Sequence, residues 1–271
     1  HLGEGHRLDP RHPSRQAGQR LTERQAHRGP DARDFWNHEE ITLGHNRLSI
    51  IDLSQEADQP MHSHCGRYTI VFNGEIYNYL EIKRELPDYP FRTQSDTEVL
   101  LAGFIRWGHA VLDKLNGMFS FAIWDQRDRK LFAARDRFGV KPFYYAVQDG
   151  QFYFASEIKT IFAAGVPRQR NEKVWANYFA FGSYGLPNET FWSGIQQLPA
   201  GFFMEIEGRN PAVSKPVPWY DFVARTQSVA PSSAAALKDR YESLLADAVS
   251  LRFRADVPLG MNVSGGLDSS L

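Results

Sequence analysis

Arg67-Tyr68-Thr69-Ile70-Val71-Phe72-Asn73-Gly74-Glu75-Ile76-Tyr77-Asn78-Tyr79 is the stretch on which the reading of this 271-residue chain turns. Its first six residues carry the β-branched and aromatic side chains of a strand. Asn73-Gly74, taken alone, is the dipeptide of a tight hairpin turn, because both residues tolerate positive φ. Further along, Met118 to Trp124, Lys130 to Ala134, Pro142 to Val147 and Phe152 to Ala155 read as short strands. Asp125-Gln126-Arg127-Asp128 and Gln148-Asp149-Gly150 are turns between several of them. A parallel crossover needs about a dozen residues or more, so this spacing predicts antiparallel pairing.

Helices punctuate the strands. Ser95-Asp96-Thr97-Glu98 is a capping box, with Ser95 as N-cap and Glu98 reaching back to it. The helix it opens carries Val99, Leu100, Leu101, Phe104 and Ile105 and closes at Gly108. A second helix is expected from Ser232 or Ser233, where Leu237, Tyr241, Leu244, Leu245, Ala248 and Leu251 recur at helical spacing. Residues 207–232 hold four prolines and mark a boundary after about 200 residues of mixed α+β structure. Residues 1–34 contain no Val, Ile, Phe, Tyr or Trp, and their positively charged side chains other than histidine are all arginine. That composition predicts an irregular start, because little apolar surface is on hand to offset ordering entropy.

The formal net charge is -1, which gives no electrostatic case for nucleic acid or membrane as a partner. No apolar run approaches the roughly 18 residues of a membrane span, and no signal-peptide pattern is visible. The single cysteine, Cys65, rules out an internal disulfide and a Cys-based metal site, and suits a reducing cytoplasm. The nine histidines show no metal-ligand spacing.

Val257 to Val263 reads as a buried strand interrupted by Pro258 and Gly260, and it runs into Ser264-Gly265-Gly266-Leu267-Asp268-Ser269-Ser270. Glycines let a backbone approach an anion, and N–H groups at a helix start grip phosphate. A soft Gly/Ser linker is the alternative reading. The run lacks the lysine of the P-loop. It resembles instead the pyrophosphate loop of the N-type ATP pyrophosphatases.

Taken together the motifs resemble one family. His27-Arg28-Gly29-Pro30-Asp31, Arg47-Leu48-Ser49-Ile50-Ile51-Asp52, Asn73 to Tyr79 and Ser95 to Glu98 stand in the order of class II glutamine amidotransferase domains. Arg135-Asp136-Arg137-Phe138-Gly139-Val140-Lys141-Pro142 and Ala155-Ser156-Glu157-Ile158-Lys159 continue the series. With SGGLDSS behind them, they resemble the glutamine-hydrolysing asparagine synthetases. The resemblance implies an α+β, Ntn-hydrolase-like four-layer sandwich of two antiparallel sheets between helices. The first helix and strand of an α/β nucleotide-binding domain should follow. The expected division is an irregular segment at 1–26, a glutaminase domain at 27–206, a linker at 207–232 and the start of the synthetase domain at 233–271.

The implied chemistry joins two half-reactions. Glutamine hydrolysis supplies ammonia, and ATP with Mg²⁺ converts aspartate to β-aspartyl-AMP, from which ammonia displaces AMP. The implied partners are L-glutamine, L-aspartate and ATP, and a homodimer is allowed. Arg47 would hold the substrate α-carboxylate, where a guanidinium fork suits two oxygens; its plain alternative is a surface charge beside a strand. Asn73, through its side-chain amide, and Gly74, through its N–H, would form the oxyanion hole. Glu75 and Asp96 would bind the substrate ammonium, although an acid in a first helical turn is also stabilised by the dipole. Ser264, Gly265, Gly266, Asp268 and Ser269 would grip the pyrophosphate of ATP, with Asp268 helping to place Mg²⁺.

The resemblance also calls for an N-terminal cysteine nucleophile ahead of an apolar strand, and residues 1–26 offer neither. Cys65 lies eight residues before Asn73, roughly 25 Å along an extended chain, and has no free α-amine. His1 has neither hydroxyl nor thiol. The expectation is a piece of a longer protein, cut at both ends and performing neither half-reaction, with one strand left unpaired. A β-lactam-synthetase-like adenylating cyclase and a non-catalytic glutamine-binding module are the alternatives. Retention of Arg47, Asn73, Gly74, Glu75 and Asp96 argues against the cyclase, which has no use for a glutamine pocket.

Overall fold

The computed structural model describes residues 15–208, 215–230, 232–261 and 263–266. From the N-terminus come helix α1 (Arg15–Glu23) and strands β1 (Ala32–His38), β2 (Ile41–Arg47), β3 (Met61–His62) and β4 (Tyr68–Ile76). Helices α2 (Tyr79–Arg84), α3 (Asp96–Trp107) and α4 (Val111–Lys114) precede β5 (Gly117–Asp125), β6 (Lys130–Arg135), β7 (Tyr144–Gln148) and β8 (Gln151–Ala155). Then follow α5 (Ile158–Ala163), α6 (Glu172–Phe181), β9 (Ile195–Gln197), β10 (Phe202–Glu207), β11 (Val217–Pro218), α7 (Phe222–Gln227) and α8 (Ala234–Arg252). Strands pair as β11-β10-β6-β5-β4-β3, β8-β7-β9 and β1-β2. Every pair is antiparallel, as the short spacings require.

Side-chain alternation along the central strands sorts the layers. Ile70, Phe72 and Ile76 of β4, with Phe119, Phe121 and Ile123 of β5, share one core with Ile82, Val99, Leu100 and Leu112 of the helices. Val71, Ala122, Trp124, Leu131 and Ala133 point the other way and meet Leu43 of β2, Phe143, Tyr145 of β7 and Phe154 of β8. Ala146, Ala155 and Ile195 close a third cluster with Ile161 of α5. The result is helix, sheet, sheet, helix.

Asn73-Gly74, a turn signal when taken alone but not in its sequence context, lies inside β4, which runs to Ile76 in unbroken register with β5; that ladder outweighs the local turn preference. Three expectations need correction. The stretch read as irregular holds α1 and a short 3-10 turn, Ala26–Arg28. Tertiary packing stabilises α1, since it lies on β1 and β2 with Gly18 against Phe35 and Thr42. The linker also contributes to the sheet, because β11 pairs with β10 and Trp219 Nε1 donates to Arg135 O at 3.1 Å. Finally, Val257 to Val263 forms no strand among its described residues, and Leu259, Met261 and Val263 are exposed. An extended segment needs a neighbour to satisfy its backbone, and no described strand lies beside it. Helix α8 does begin at Ser233, whose side chain accepts from Ala236 N–H, but Leu237, Tyr241, Leu244 and Leu245 face solvent.

Candidate functional site

The ladder between β4 and β5 decides where Gly74 points. Phe119 N–H donates to Asp136 Oδ2 at 3.1 Å, and Phe119 O accepts from Asp136 N–H at 2.8 Å, so this main chain faces away from β4. Its cross-strand neighbour Gly74 therefore turns its N–H to the free edge of β4. Phe72 and Ile76 share that parity. Phe72 N–H donates to Gln59 Oε1 at 2.7 Å, and Ile76 N–H to Asp96 Oδ2 at 2.9 Å. Gly74 N–H lies between these two anchored groups and has no hydrogen-bond partner among the described residues. Only glycine fits: a Cβ here would come 2.2 Å from Met118 O and 2.7 Å from Phe119 Cα.

Residues of the other parity face the sandwich interior. Asn73 Nδ2 donates to Ser156 Oγ at 3.2 Å, and its cross-strand partner Ser120 donates Oγ–H to Pro142 O at 3.0 Å. The Asn73 amide and the Gly74 N–H are thus adjacent donors on one rigid strand. Glu75 is half-buried, and burial pushes its carboxyl up against the pull of Lys141 and Arg252. Asp96 is buried in the first turn of α3, and burial raises its carboxyl to about 7. The Ile76 and Thr97 N–H groups oppose that rise, and the Glu75 charge adds to it. Glu75 and Asp96 thus lie within electrostatic reach of each other.

The cap of α3 differs in detail from the sequence reading. Ser95 Oγ accepts from Thr97 N–H at 3.1 Å, as an N-cap should. Glu98, however, passes over the Ser95 backbone and accepts from Arg92 N–H, Thr93 N–H and Thr93 Oγ. Gly108 closes the helix at φ 57°.

Arg47 is buried at the end of β2. Its Nη1 donates to Ser54 O at 2.7 Å and to Asp58 Oδ1 at 2.8 Å; its Nη2 donates to Ile51 O and Asp52 O. The fork organises the loop after β2, and Nε is the one guanidinium donor not used there. The 135–142 run acts in a similar way. Arg135 donates to the carbonyls of Lys141, Leu198 and Gly139, and Asp136 accepts from the N–H groups of Phe119, Phe138, Val140 and Lys141. This frame sets Lys141 near Glu75.

A cavity of about 1050 Å³ lies beside Asn73 and Ser156. Its sides are the free edge of β2, at Thr42 and Gly44, and that of β8, at residues 151–155. Val71 and Ala122 line it from the large sheet, and Gly18 and Thr22 of α1 from the opposite side. Three buried groups on its wall, His45 Nδ1, Trp124 Nε1 and Thr160 Oγ1, have no partner among the described residues. Burial also lowers His45 to about 4, so its ring is neutral near pH 7, with Nε2 3.0 Å from Phe72 O. One unpaired strand was expected, and two unpaired edges border a single cavity.

The remaining assigned residues lie elsewhere. Ser264, Gly265 and Gly266 are exposed; Gly265 has φ 77°, and Gly266 N–H donates to Ser264 Oγ at 3.4 Å. Asp268 and Ser269 lie outside the described residues. Cys65 is exposed in the turn before β4, at the opposite end of that strand from Ile76. Sequence reasoning missed Ser120 and Gln59 as neighbours of the site, and it had Lys141 only as a member of the 135–142 motif. Ser156 stood in a quoted motif, but nothing local ties it to Asn73.

The sequence model of a glutamine amidotransferase domain matches residues 4–216, and that of asparagine synthase matches residues 240–271. The chain is 37% identical over 246 residues to asparagine synthetase (glutamine-hydrolyzing) 1 of Bacillus subtilis, covering 90% of this chain and 38% of that protein. It is 36% identical over 255 residues to amidase chry2 of Gibberella zeae, covering 90% of this chain and 36% of that protein. The chain thus spans well under half the length of these relatives. Among solved structures, glutamine phosphoribosylpyrophosphate amidotransferase from B. subtilis, complexed with ADP and GMP, matches with a TM-score of 0.50 at 21% identity. That match covers 68% of this chain and 36% of the other, and it bears on the fold alone. The layers are those of an α+β, Ntn-hydrolase-like sandwich, and the chain belongs to the glutamine amidotransferase domain family.

Proposed function

We propose that this chain is the glutamine-using part of an asparagine synthase. Glutamine and water give glutamate and ammonia; aspartate and ATP give β-aspartyl-AMP and pyrophosphate; ammonia then displaces AMP to form asparagine. The observation that carries this reading is the Gly74 N–H, held free on a strand edge beside the Asn73 amide and the Asp96 carboxylate. A carbonyl oxygen that gains charge during acyl transfer would receive two preorganised donors there. Glu75 and Asp96 would take the substrate ammonium. Arg47 would offer Nε to the carboxylate, or more of its fork if the loop after β2 opens.

The resemblance assigns the nucleophile of such a reaction to an N-terminal cysteine. The cavity between β2 and β8 opens beside Asn73, at the place where an extended segment could bring a thiol. The matched span 4–216 would place α1 in the glutaminase domain, and β11 would join it through its pairing with β10. The rest of 207–232 would carry the connection, and 233–271 would open the synthetase domain. Ser264, Gly265, Gly266, Asp268 and Ser269 would grip the ATP pyrophosphate. Mg²⁺ would accompany the nucleotide; Asp268, assigned to it, lies outside the described residues, and no step is derived through the metal. The single cysteine suits a reducing cytoplasm, and a homodimer is allowed.

Calorimetry with L-glutamine, alongside an ammonia assay, tests the reading. Saturable heat for the L-isomer, absent for D-glutamine, is expected. No heat and no thermal shift would overturn it. Binding without ammonia release is expected of residues 1–271 alone.

A further inference from the structure

The residues that follow α8 are bonded to the walls of the site as well as to the last turn of that helix. Asp256 N–H donates to Ile50 O at 2.9 Å, and Asp256 Oδ2 accepts from Asp52 N–H at 2.7 Å. Arg254 holds α2 with a fork: Nη1 and Nη2 donate to the two Glu81 carboxylate oxygens at 2.6 and 2.7 Å, and Nη1 also donates to Tyr77 O at 2.8 Å. The Arg252 guanidinium carbon lies 4.7 Å from the centre of the Tyr77 ring. Residues 252–256 therefore form a strap across the loop after β2 and the end of β4.

What the strap holds is the frame of the carboxylate pair and of Arg47. Ile51 and Asp52 are the residues whose carbonyls accept from Arg47 Nη2. The Asp52 carboxylate accepts from Gln94 N–H at 2.7 Å, two residues before Asp96, and from Ser54 N–H and Oγ–H. Asp52 itself has φ +55°, a sparsely populated conformation for a non-glycine residue that persists only where the surroundings over-determine it. Its N–H, its carbonyl and its carboxylate are each engaged by a different partner. Asp52 is thus a joint between Arg47, the N-terminus of α3 and the strap. Seven residues separate Asp256 from Ser264-Gly265-Gly266.

We infer that Asp256 and Arg254 are positioning residues for the Arg47 and Asp96 walls, so that movement of the segment leading to Ser264 is felt in the pocket. The mechanical half of this inference stands on the contacts alone; its functional half rests on the glutamine reading.

The full 271-residue chain is compared with Asp256→Ala, Asp256→Asn, Arg254→Glu and the Arg254→Glu/Glu81→Arg pair. Amide hydrogen exchange, which needs no ligand, is read at residues 47–58 and 93–97 against Phe119 to Phe121 of β5. Losing a hydrogen bond to a charged acceptor should speed exchange at Asp52 and Gln94 roughly tenfold or more in Asp256→Ala. Asp256→Asn, which keeps an acceptor oxygen, should restore most of that protection. The swapped pair should recover protection around Tyr77 that Arg254→Glu loses. Unchanged exchange in Asp256→Ala, or equal loss in both Asp256 variants extending to β5, would overturn the inference. L-glutamine titration is the second arm, with Asp256→Ala expected to bind roughly tenfold more weakly and Asp256→Asn near wild type. If wild type binds and Asp256→Ala binds equally well, the positioning role falls and the glutamine reading stands. If wild type binds no glutamine, that reading falls, and the exchange arm still decides the strap.

Discussion

Replacing Asp96 by asparagine should stabilise the fold and weaken its ligand. Burial raises this carboxyl from an ordinary 3.8 to about 7, even though it accepts the Ile76 N–H at 2.9 Å. In the unfolded chain the group ionises near about pH 4, whereas in the fold it keeps its proton until about 7. Folding therefore takes up a proton within that window, and stability falls as pH rises through it. Well below about pH 4 both states are protonated and the penalty vanishes; above about 7 it is complete. At about 1.4 kcal/mol per pH unit, the rise from 3.8 to about 7 corresponds to a penalty on the order of 4 kcal/mol. Asparagine keeps an oxygen for the Ile76 N–H and never ionises. Asp96→Asn should therefore lie close to wild type at about pH 4 and exceed it by up to about 4 kcal/mol at about pH 8. Urea unfolding of both proteins across this range gives the difference directly, because other titrating groups cancel. A difference that stays flat with pH, or a variant less stable at the alkaline end, would refute the assignment of Asp96 as a buried, costly acid. An ammonium ligand reverses the balance by drawing the proton off. Wild-type affinity for L-glutamine should climb toward about pH 7 and level off, while the variant binds roughly tenfold more weakly or worse.

Gly74→Ala places a Cβ 2.2 Å from Met118 O, so β4 and β5 must part; a loss of about 1–3 kcal/mol in thermal or urea unfolding, with loss of L-glutamine heat, is expected. A variant as stable as wild type would show that the strands give freely. Thr160→Val removes a buried hydroxyl without a described partner; it should be neutral or stabilising by up to about 1 kcal/mol, and a clear loss in urea unfolding would reveal a partner for the hydroxyl. The free edges of β2 and β8 should make the isolated chain self-associate with rising concentration in sedimentation velocity; a monodisperse monomer throughout would contradict that.

Strands β4 to β8 were legible because each is an apolar or alternating run bounded by turn residues. Strands β1 and β2 were not. ARDFWNH and ITLGHNR mix polar and apolar side chains without a clear period, and their extended form comes from pairing with each other beneath α1. The two-residue β11 is below what any local pattern can signal. Asn73-Gly74 carried a turn signal that nine register pairs with β5 override. In the site, Gly74 and Asp96 were readable from motif, while the contact of Asn73 with Ser156 joins residues 83 apart and has no local trace. Arg47 was visible as a cation suited to two oxygens, but its engagement by the following loop depends on how that loop closes. Helix α8 was legible in its start, whereas the exposure of its apolar stripe depends on what packs against it.

The free edge of β4 ties chemistry to strand registration. Successive N–H groups on a strand leave by opposite edges, so a slip of one residue would send the Asn73 and Glu75 N–H groups outward and turn that of Gly74 into the ladder. Phe72 and Ile76, pinned by Gln59 and Asp96 on either side, prevent that slip. If glutamine binds at Gly74 as proposed, any variant that binds it must have threaded this strand correctly, which makes binding a folding reporter with single-residue resolution.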